Sequence, residues 1–207
     1  MAGVRRLSML PELATGRLTI RLAQPGLEGP MARFLRDNWE GHLDRWNPPT
    51  PPGFFTEAFW AERLEYAVRE FHNDRSARFV LQEAGAGPEA PLVGTANYTN
   101  FVRGAFQACN LGYQASRGHQ GRGLMAEGLA ATNRYVFASL RMHRIMANYI
   151  PTNERSRRLA ARLGFVEEGF ARNYLFIDGA WRDHVLSALE NPDFDPGWIL
   201  GATPAPR

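Results

Sequence analysis

The sequence contains no lysine; all 24 of its basic residues are arginine. Two explanations stay open on composition alone: a base-composition bias in the genome, or a need for anion recognition, to which the bidentate guanidinium is suited. A Walker A phosphate loop is excluded, because it ends in Gly-Lys-Ser/Thr. Cysteine is nearly absent too. The single Cys109 cannot form an intrachain disulfide, which fits a reducing compartment and predicts a cytoplasmic protein. No run approaches the roughly 18–20 uncharged apolar residues of a membrane span. The charged start MAGVRRLSML lacks the apolar stretch of about 7–15 residues that a secretory signal needs. There is no internal repeat, no low-complexity tract, and no block of like charge that would mark a nucleic-acid-binding tail.

What is present describes a globular chain. Its 207 residues, 44% hydrophobic and 22% charged, suffice for one domain with a substantial core and are too few for two. Residues 16–22 alternate apolar and polar as a first strand. Residues 27–38 read as a short helix, and the Trp-, Pro- and Gly-rich stretch 39–54 as an irregular loop. Thr56 opens a helix to about His72, with Trp60, Leu64, Ala67, Val68 and Phe71 on its apolar face. Short strands start at Ala77 and Leu92, and a longer one spans 106–113. A glycine-rich turn leads to a helix over 123–140, a strand over 144–150 (RIMANYI) and a helix over 153–163. Strands over 166–177 and 181–189 are joined by Asp178-Gly179, a strong hairpin signal. The order predicts a mixed α/β domain with an antiparallel front half, ending in an irregular extension over 191–207.

The most informative segment is 111–129, LGYQASRGHQGRGLMAEGL. A strand runs into a turn holding Gly118, Gly121 and Gly123, and a helix begins there. Small residues permit close approach to a ligand, and the unpaired N–H groups and dipole of a helix start favour an anion such as a pyrophosphate. Glycine-rich strand-to-helix turns are also common in purely structural settings, so this segment leaves both readings open. A second segment, PTNERSRRLAARLGF over 151–165, follows a strand. Asn153 is a helix N-cap, Gly164 a terminator, and Ser156 the third helical residue. Arg155, Arg157, Arg158 and Arg162 are left to meet solvent or phosphate.

These two segments, in this order, resemble the GNAT family of N-acetyltransferases. The family's phosphate loop, Gln/Arg-x-x-Gly-x-Gly/Ala, is matched by GHQGRG at 118–123 through Gly121 and Gly123; Gly118 stands where the family has Gln or Arg, with Arg117 adjacent. The runs GRLTIRL, NYTNFVRGAFQACNLGY, HRIMANYIPTNERS and ARLGFVEEGFARNYLFIDGAWRDHV are similar to the branch that acetylates ribosomal-protein N-terminal alanine. The resemblance implies a twisted, mostly antiparallel sheet with flanking helices, whose central parallel strands splay into a V that holds acetyl-coenzyme A. It implies that pantetheine runs along Tyr113 to Ala115. The pyrophosphate would rest on Gly121, Arg122, Gly123 and Leu124, in a loop completed by Gly118, His119 and Gln120, with the 3′-phosphate near Arg122 or Arg158. It calls for no metal.

Acetyl transfer needs a neutral amine, a polarised carbonyl and a proton for the departing thiolate. An N-terminal amine, with a pKa of about 7.7–8.0, is roughly a tenth neutral at pH 7, so a strong base is not required. The resemblance implies direct attack, and Cys109 reads as a core residue. A backbone N–H near Tyr113 polarises the carbonyl. Ser156 matches the position of the proton donor in related ribosomal-protein enzymes, and Asn153 orients the cofactor or a water. Tyr174 is either an alternative acid or a strand aromatic. The preferred base is Glu168, reached through a water chain; Asp183 and His42 are further candidates, and His184 reads equally as a structural residue. The acceptor is expected near 38–52, where Asp37, Glu40 and Asp44 either meet a basic N-terminus or are solvated loop charges. The implied partner is a ribosomal protein N-terminus, with no membrane and no sequence-specific nucleic acid; monomer and homodimer both stay open. Acetylation of a small-molecule amine and a ribosome- or RNA-associated binding role are the competing readings.

Overall fold

The computed structural model describes residues 10–199, so expectations about the first nine residues and about 200–207 fall outside the described residues. Eight strands form one sheet in the order β1-β2-β3-β4-β5-β6-β8-β7. They are β1 (Glu12–Ala14), β2 (Leu18–Leu22), β3 (Ala77–Glu83), β4 (Gly94–Val102), β5 (Ala108–Ala115), β6 (Arg144–Met146), β7 (Val166–Ile177) and β8 (Ala180–Glu190). Neighbours are antiparallel throughout except for β5 and β6. That parallel step needs a crossover, and α3 (Leu124–Ala138) supplies it. Before β3 come α1 (Glu28–Asn38) and α2 (Glu57–His72); α4 (Glu154–Arg162) lies between β6 and β7.

Alternation along the strands builds two cores, one on each face. β3 sends Phe79 and Leu81 to one side, where they join Leu18, Ile20, Leu111, Leu124, Leu129 and Ala160 under α3 and α4. It sends Val80 to the other side, to Leu27, Met31, Leu35 and Leu64 of the α1–α2 layer. The buried Tyr98 hydroxyl donates to Asn133 Oδ1 at 2.6 Å and lies 2.8 Å from Thr132 Oγ1, which fixes α3 on β4.

The structure departs from the sequence reading in four places. The strand expected over 144–150 is a ladder only over Arg144–Met146; beyond it a single bridge joins Tyr149 to Val185. The loop over 39–54 contains a wide helical turn at Trp39–Leu43, kinked at Glu40 and Gly41, and a 3₁₀ turn at Asp44–Trp46. β1 was not expected; Thr15 N–H donates to the Leu18 carbonyl and folds it back on β2. The tail over 191–199 holds a 3₁₀ turn at Pro196–Trp198, started by Asp195, whose side chain accepts from the Gly197 N–H.

Candidate active site

β5 pairs with β6 only through Ala108, Cys109 and Asn110. Past Asn110 the two strands part. Ser116 N–H donates to the Val93 carbonyl at 2.9 Å, so Gln114 and Gly112 also point their peptide groups at β4, and those of Leu111, Tyr113 and Ala115 face the opening. Such a row needs partners. His42 meets one of these groups, its Nε2 lying 3.0 Å from the Ala115 carbonyl oxygen. The edge as a whole is shaped to pair an extended, amide-bearing chain.

The turn at the mouth of this opening is held in an anion-ready form. Gly121 (φ +74°) and Gly123 (φ +75°) are both left-handed, the region where a Cβ is penalised. Nothing lies within 4 Å of a Cβ built on Gly121, so there the glycine serves conformation more than space. Gly123 is the N-cap of α3, and the N–H groups of the helix's first turn have no intrahelical partner. Together with the helix dipole they favour a phosphate. Arg17 braces the turn from the start of β2, its Nη1 donating to the Arg122 carbonyl at 2.9 Å while its Nε donates to Glu127 at 2.7 Å. The Arg122 side chain pairs with Glu83 at 3.1 Å, and Arg158 reaches Glu154 at 4.0 Å; both guanidinium groups remain largely exposed.

Across the opening, α4 brings a hydroxyl to the β5 edge. Asn153 caps the helix by accepting the Ser156 N–H at 3.1 Å. That places Ser156 Oγ 2.7 Å from Tyr113 Oη, with the Ser156 carbonyl 3.3 Å away as a second acceptor for the phenol. Burial pushes the Tyr113 phenol up, offset in part by its bond to Ser156, so it stays protonated at neutral pH.

Residues 17–166 match the acetyltransferase (GNAT) domain model. The chain belongs to the GNAT acetyltransferase family. It is 44% identical over 186 residues to the [ribosomal protein uS5]-alanine N-acetyltransferase of Escherichia coli, a match covering 89% of this chain and 93% of that one. The crystal structure of ribosomal-protein-S5-alanine acetyltransferase from Vibrio fischeri superposes with a TM-score of 0.84 at 34% identity, covering 90% of this chain and all of that one. Mycobacterium smegmatis RimJ in complex with CoA-disulfide gives 0.77 at 28% identity, covering 87% of this chain and 86% of that one. Like these relatives, the chain is an N-acetyltransferase, and its sheet is the GNAT sheet.

The acetyltransferase's opposite sheet face carries a second set of polar groups. α1 and α2 cover the β3 part of this face. Alternation puts Asn148 and His184 here, because their neighbours Tyr149 and Val185 pack with the core on the α4 side. Three ties bound the area. Gln114 Nε2 donates to Asn47 Oδ1 at 2.7 Å, the Asp178 N–H donates to the Asn47 carbonyl at 3.3 Å, and Asn148 Nδ2 donates to Tyr174 Oη at 3.1 Å. An open cavity of about 350 Å³ is lined by Arg36, Trp39, Glu40, Asp44 and Phe55, at the start of the loop that holds Asn47. Tyr174 therefore bonds to Asn148 and not to Ser156.

The structure gives the expected carboxylates other partners. Glu168 sits at a bulge in β7 and pairs with Arg144, which also holds Glu190 at 3.3 Å. Arg144 stands opposite Ala108, where the parallel pairing of β5 and β6 begins. Asp183 accepts the Asn173 N–H at 2.8 Å across the hairpin. Asp44 accepts the N–H groups of Gly41 and Arg45, and the Gly41 bond chiefly holds its carboxyl below the usual range; it organises its own loop. Asp37 lines a different cavity, of about 290 Å³, with Ser116, Arg117, Gly118 and His119. Glu40 uses its carbonyl to accept from Arg117 at 2.7 Å. Gln120 lies 3.1 Å from His42 Nε2 and accepts from Arg155 at 2.5 Å, bridging the loop after α1 to α4.

Sequence reasoning missed Arg17, Asn38 and the Tyr149–Glu167 pair. Asn38 Oδ1 accepts the Arg117 N–H at 2.6 Å, and Tyr149 donates to Glu167 at 2.6 Å. Each pair is closed by folding between distant segments, and no local pattern announces it.

Proposed function

We propose that this acetyltransferase moves the acetyl group of acetyl-coenzyme A to the α-amine of a protein N-terminus, by direct attack, with an alanine-initiated ribosomal protein in the cytoplasm as acceptor. The observation that carries this reading is the Ser156 hydroxyl held by Tyr113 over the free edge of β5. Pantetheine pairs with the peptide groups from Tyr113 to Ala115, displacing His42 from the Ala115 carbonyl. The pyrophosphate takes the amides of Gly121 to Leu124, within the loop completed by Gly118, His119 and Gln120. The 3′-phosphate takes the exposed guanidinium of Arg122 or Arg158.

The chemistry follows from these positions. The thioester carbonyl accepts from the Tyr113 N–H, so charge developing on its oxygen meets a fixed dipole. As the C–S bond breaks, Ser156 gives its proton to sulfur while Tyr113 donates a hydrogen bond to Ser156 Oγ, and the proton released by the amine returns to the serine through solvent. Asn153 keeps the serine in place through the helix cap. The amine is the nucleophile. Cys109 is buried, and burial pushes its thiol up to about 12, so it offers no thiolate for an acyl-enzyme. The acceptor enters on the face bounded by Asn47, Gln114, Asn148 and Tyr174. The full-length relatives named for ribosomal-protein alanine support the choice of acceptor.

A panel of acceptors tests the reading: peptides beginning Ala, Ser and Met, a lysine peptide blocked at its N-terminus, and spermidine. Fastest transfer to the alanine peptide is expected. Transfer to spermidine alone would replace the acceptor with a small-molecule amine, and acetyl-coenzyme A binding with no transfer would favour a binding role.

A further inference from the structure

On the acceptor face, opposite Ser156, the buried His184 of β8 is held in one tautomer. Its Nδ1 lies 3.0 Å from the Arg182 carbonyl oxygen, and since a carbonyl only accepts, the proton is on Nδ1. That leaves Nε2 as a lone pair. Nε2 has no hydrogen-bond partner among the described residues. The imidazole packs on Tyr174 with ring centroids 5.3 Å apart, and Tyr174 Oη accepts from Asn148, one residue before Tyr149 at the parted strands. The hairpin is distorted at this point. β7 carries two extra residues between Ala171, opposite His184, and Leu175, opposite Arg182; Asn173 there has φ +49°. The Asn173 N–H, freed from the ladder, is taken by Asp183, so the distortion is built in and it carries Tyr174 to His184.

We propose that His184 is the general base that removes the proton from the attacking amine. This rests on the acetyltransferase reading of the site above. The amine nitrogen bonds to the acetyl carbon, Nε2 takes the nitrogen's proton directly or through one water, the C–S bond breaks, and Ser156 protonates the sulfur. Acid and base thus act from opposite faces of the sheet, the base on the attacking amine and the acid on the thiolate expelled from the tetrahedral intermediate. Burial chiefly lowers the pKa of His184, opposed by its Arg182 bond and by Asp183, so the imidazole is neutral at pH 7. The charged groups facing it are Arg182, which pairs with Asp178, and Asp183, which accepts the Asn173 N–H and whose charge favours the protonated ring without outweighing burial. A neutral imidazole of low pKa suits an N-terminal amine better than a lysine, whose pKa is about 10.4.

The test is the pH profile of kcat/KM with an alanine peptide, for the full-length protein and for His184→Asn, whose amide keeps a donor for the Arg182 carbonyl but has no Nε2. In the unaltered enzyme both the amine and His184 must be neutral. The log plot therefore rises with slope 1 below the amine pKa and steepens to slope 2 below the pKa of His184, read independently by NMR titration of its ring. His184→Asn is expected to lower kcat/KM about 10²-fold at pH 7.5 and to keep slope 1 throughout, with the Kd for coenzyme A unchanged. Should the variant fold poorly, the unaltered enzyme alone decides, since the break must coincide with the NMR value. An unaltered slope in His184→Asn, or a break displaced from the NMR value, would overturn the base assignment while leaving the acetyltransferase reading intact. Absence of transfer by the unaltered protein to any amine would overturn both.

Discussion

Arg17 grips Glu127 by a 2.6 Å ion pair and by its own backbone N–H at 2.9 Å, and the same guanidinium holds the Arg122 carbonyl. A residue at the start of β2 thus sets the shape of a turn at the start of α3. The pair is partly exposed, so its worth to global stability is small, on the order of 0–1 kcal/mol. Its worth to ligand binding is expected to be larger. Arg17→Ala and Glu127→Gln should each weaken acetyl-coenzyme A binding about 10-fold by calorimetry, because each loosens the turn. If Glu127→Gln instead tightens binding, simple attraction between Arg17 and phosphate would explain the effect.

Ser156→Ala should lower kcat about 10²-fold with little change in the Kd for acetyl-coenzyme A, as expected when a proton donor is removed. Tyr113→Phe should lower kcat less, because Ser156 keeps its proton and loses only its orienting partner. Stopped-flow transfer to an alanine peptide separates the two. Unchanged turnover in Ser156→Ala across pH would remove the serine from the mechanism.

Gly123→Val forces a β-branched residue to φ +75°. Left-handed backbone costs an L-residue roughly 1–2 kcal/mol, so a folded protein with a lower Tm is expected, together with acetyl-coenzyme A binding at least 10-fold weaker. Binding that survives in a correctly folded Gly123→Val or Gly121→Val protein would move the pyrophosphate elsewhere.

Gly94→Ala addresses packing beside the same strand. A Cβ at Gly94 would run into the Gln114 carbonyl oxygen and lie 2.5 Å from Met125 Sδ. The methionine can move, but the backbone oxygen belongs to the β4–β5 ladder. Overpacking of this kind costs about 1–3 kcal/mol, a fall in Tm of roughly 2–4 °C per kcal/mol for a chain of this size. An unchanged melting curve would mean that β4 and β5 adjust more freely than the close contact allows.

The parts legible in the sequence were those written in local patterns. Asn153 and Ser156 announce a capped helix start, Gly121 and Gly123 a turn leading into a helix, and Asp178-Gly179 a hairpin; all take those forms. Cys109 is buried, as expected of a core residue, at the second position of β5. The parting of β5 and β6 was invisible to periodicity, because RIMANYI keeps strand-like residues after its ladder ends at Met146. The roles of neighbouring carboxylates were invisible for a related reason. Glu167 and Glu168 look interchangeable in sequence, yet a bulge turns one to Tyr149 and the other to Arg144. Tyr174 reads from sequence as either an acid or a strand aromatic, and nothing local announces the two extra residues in β7 that bring it against His184.

The most direct test of the central claim is to give the enzyme one peptide bearing both a free N-terminal alanine and an internal lysine, with limiting acetyl-coenzyme A, and to locate the acetyl group by tandem mass spectrometry. Acetylation of the alanine α-amine is expected, with the lysine untouched until the α-amine is consumed. Acetyl found first on the lysine ε-amine, or on neither amine while spermidine is acetylated, would contradict it.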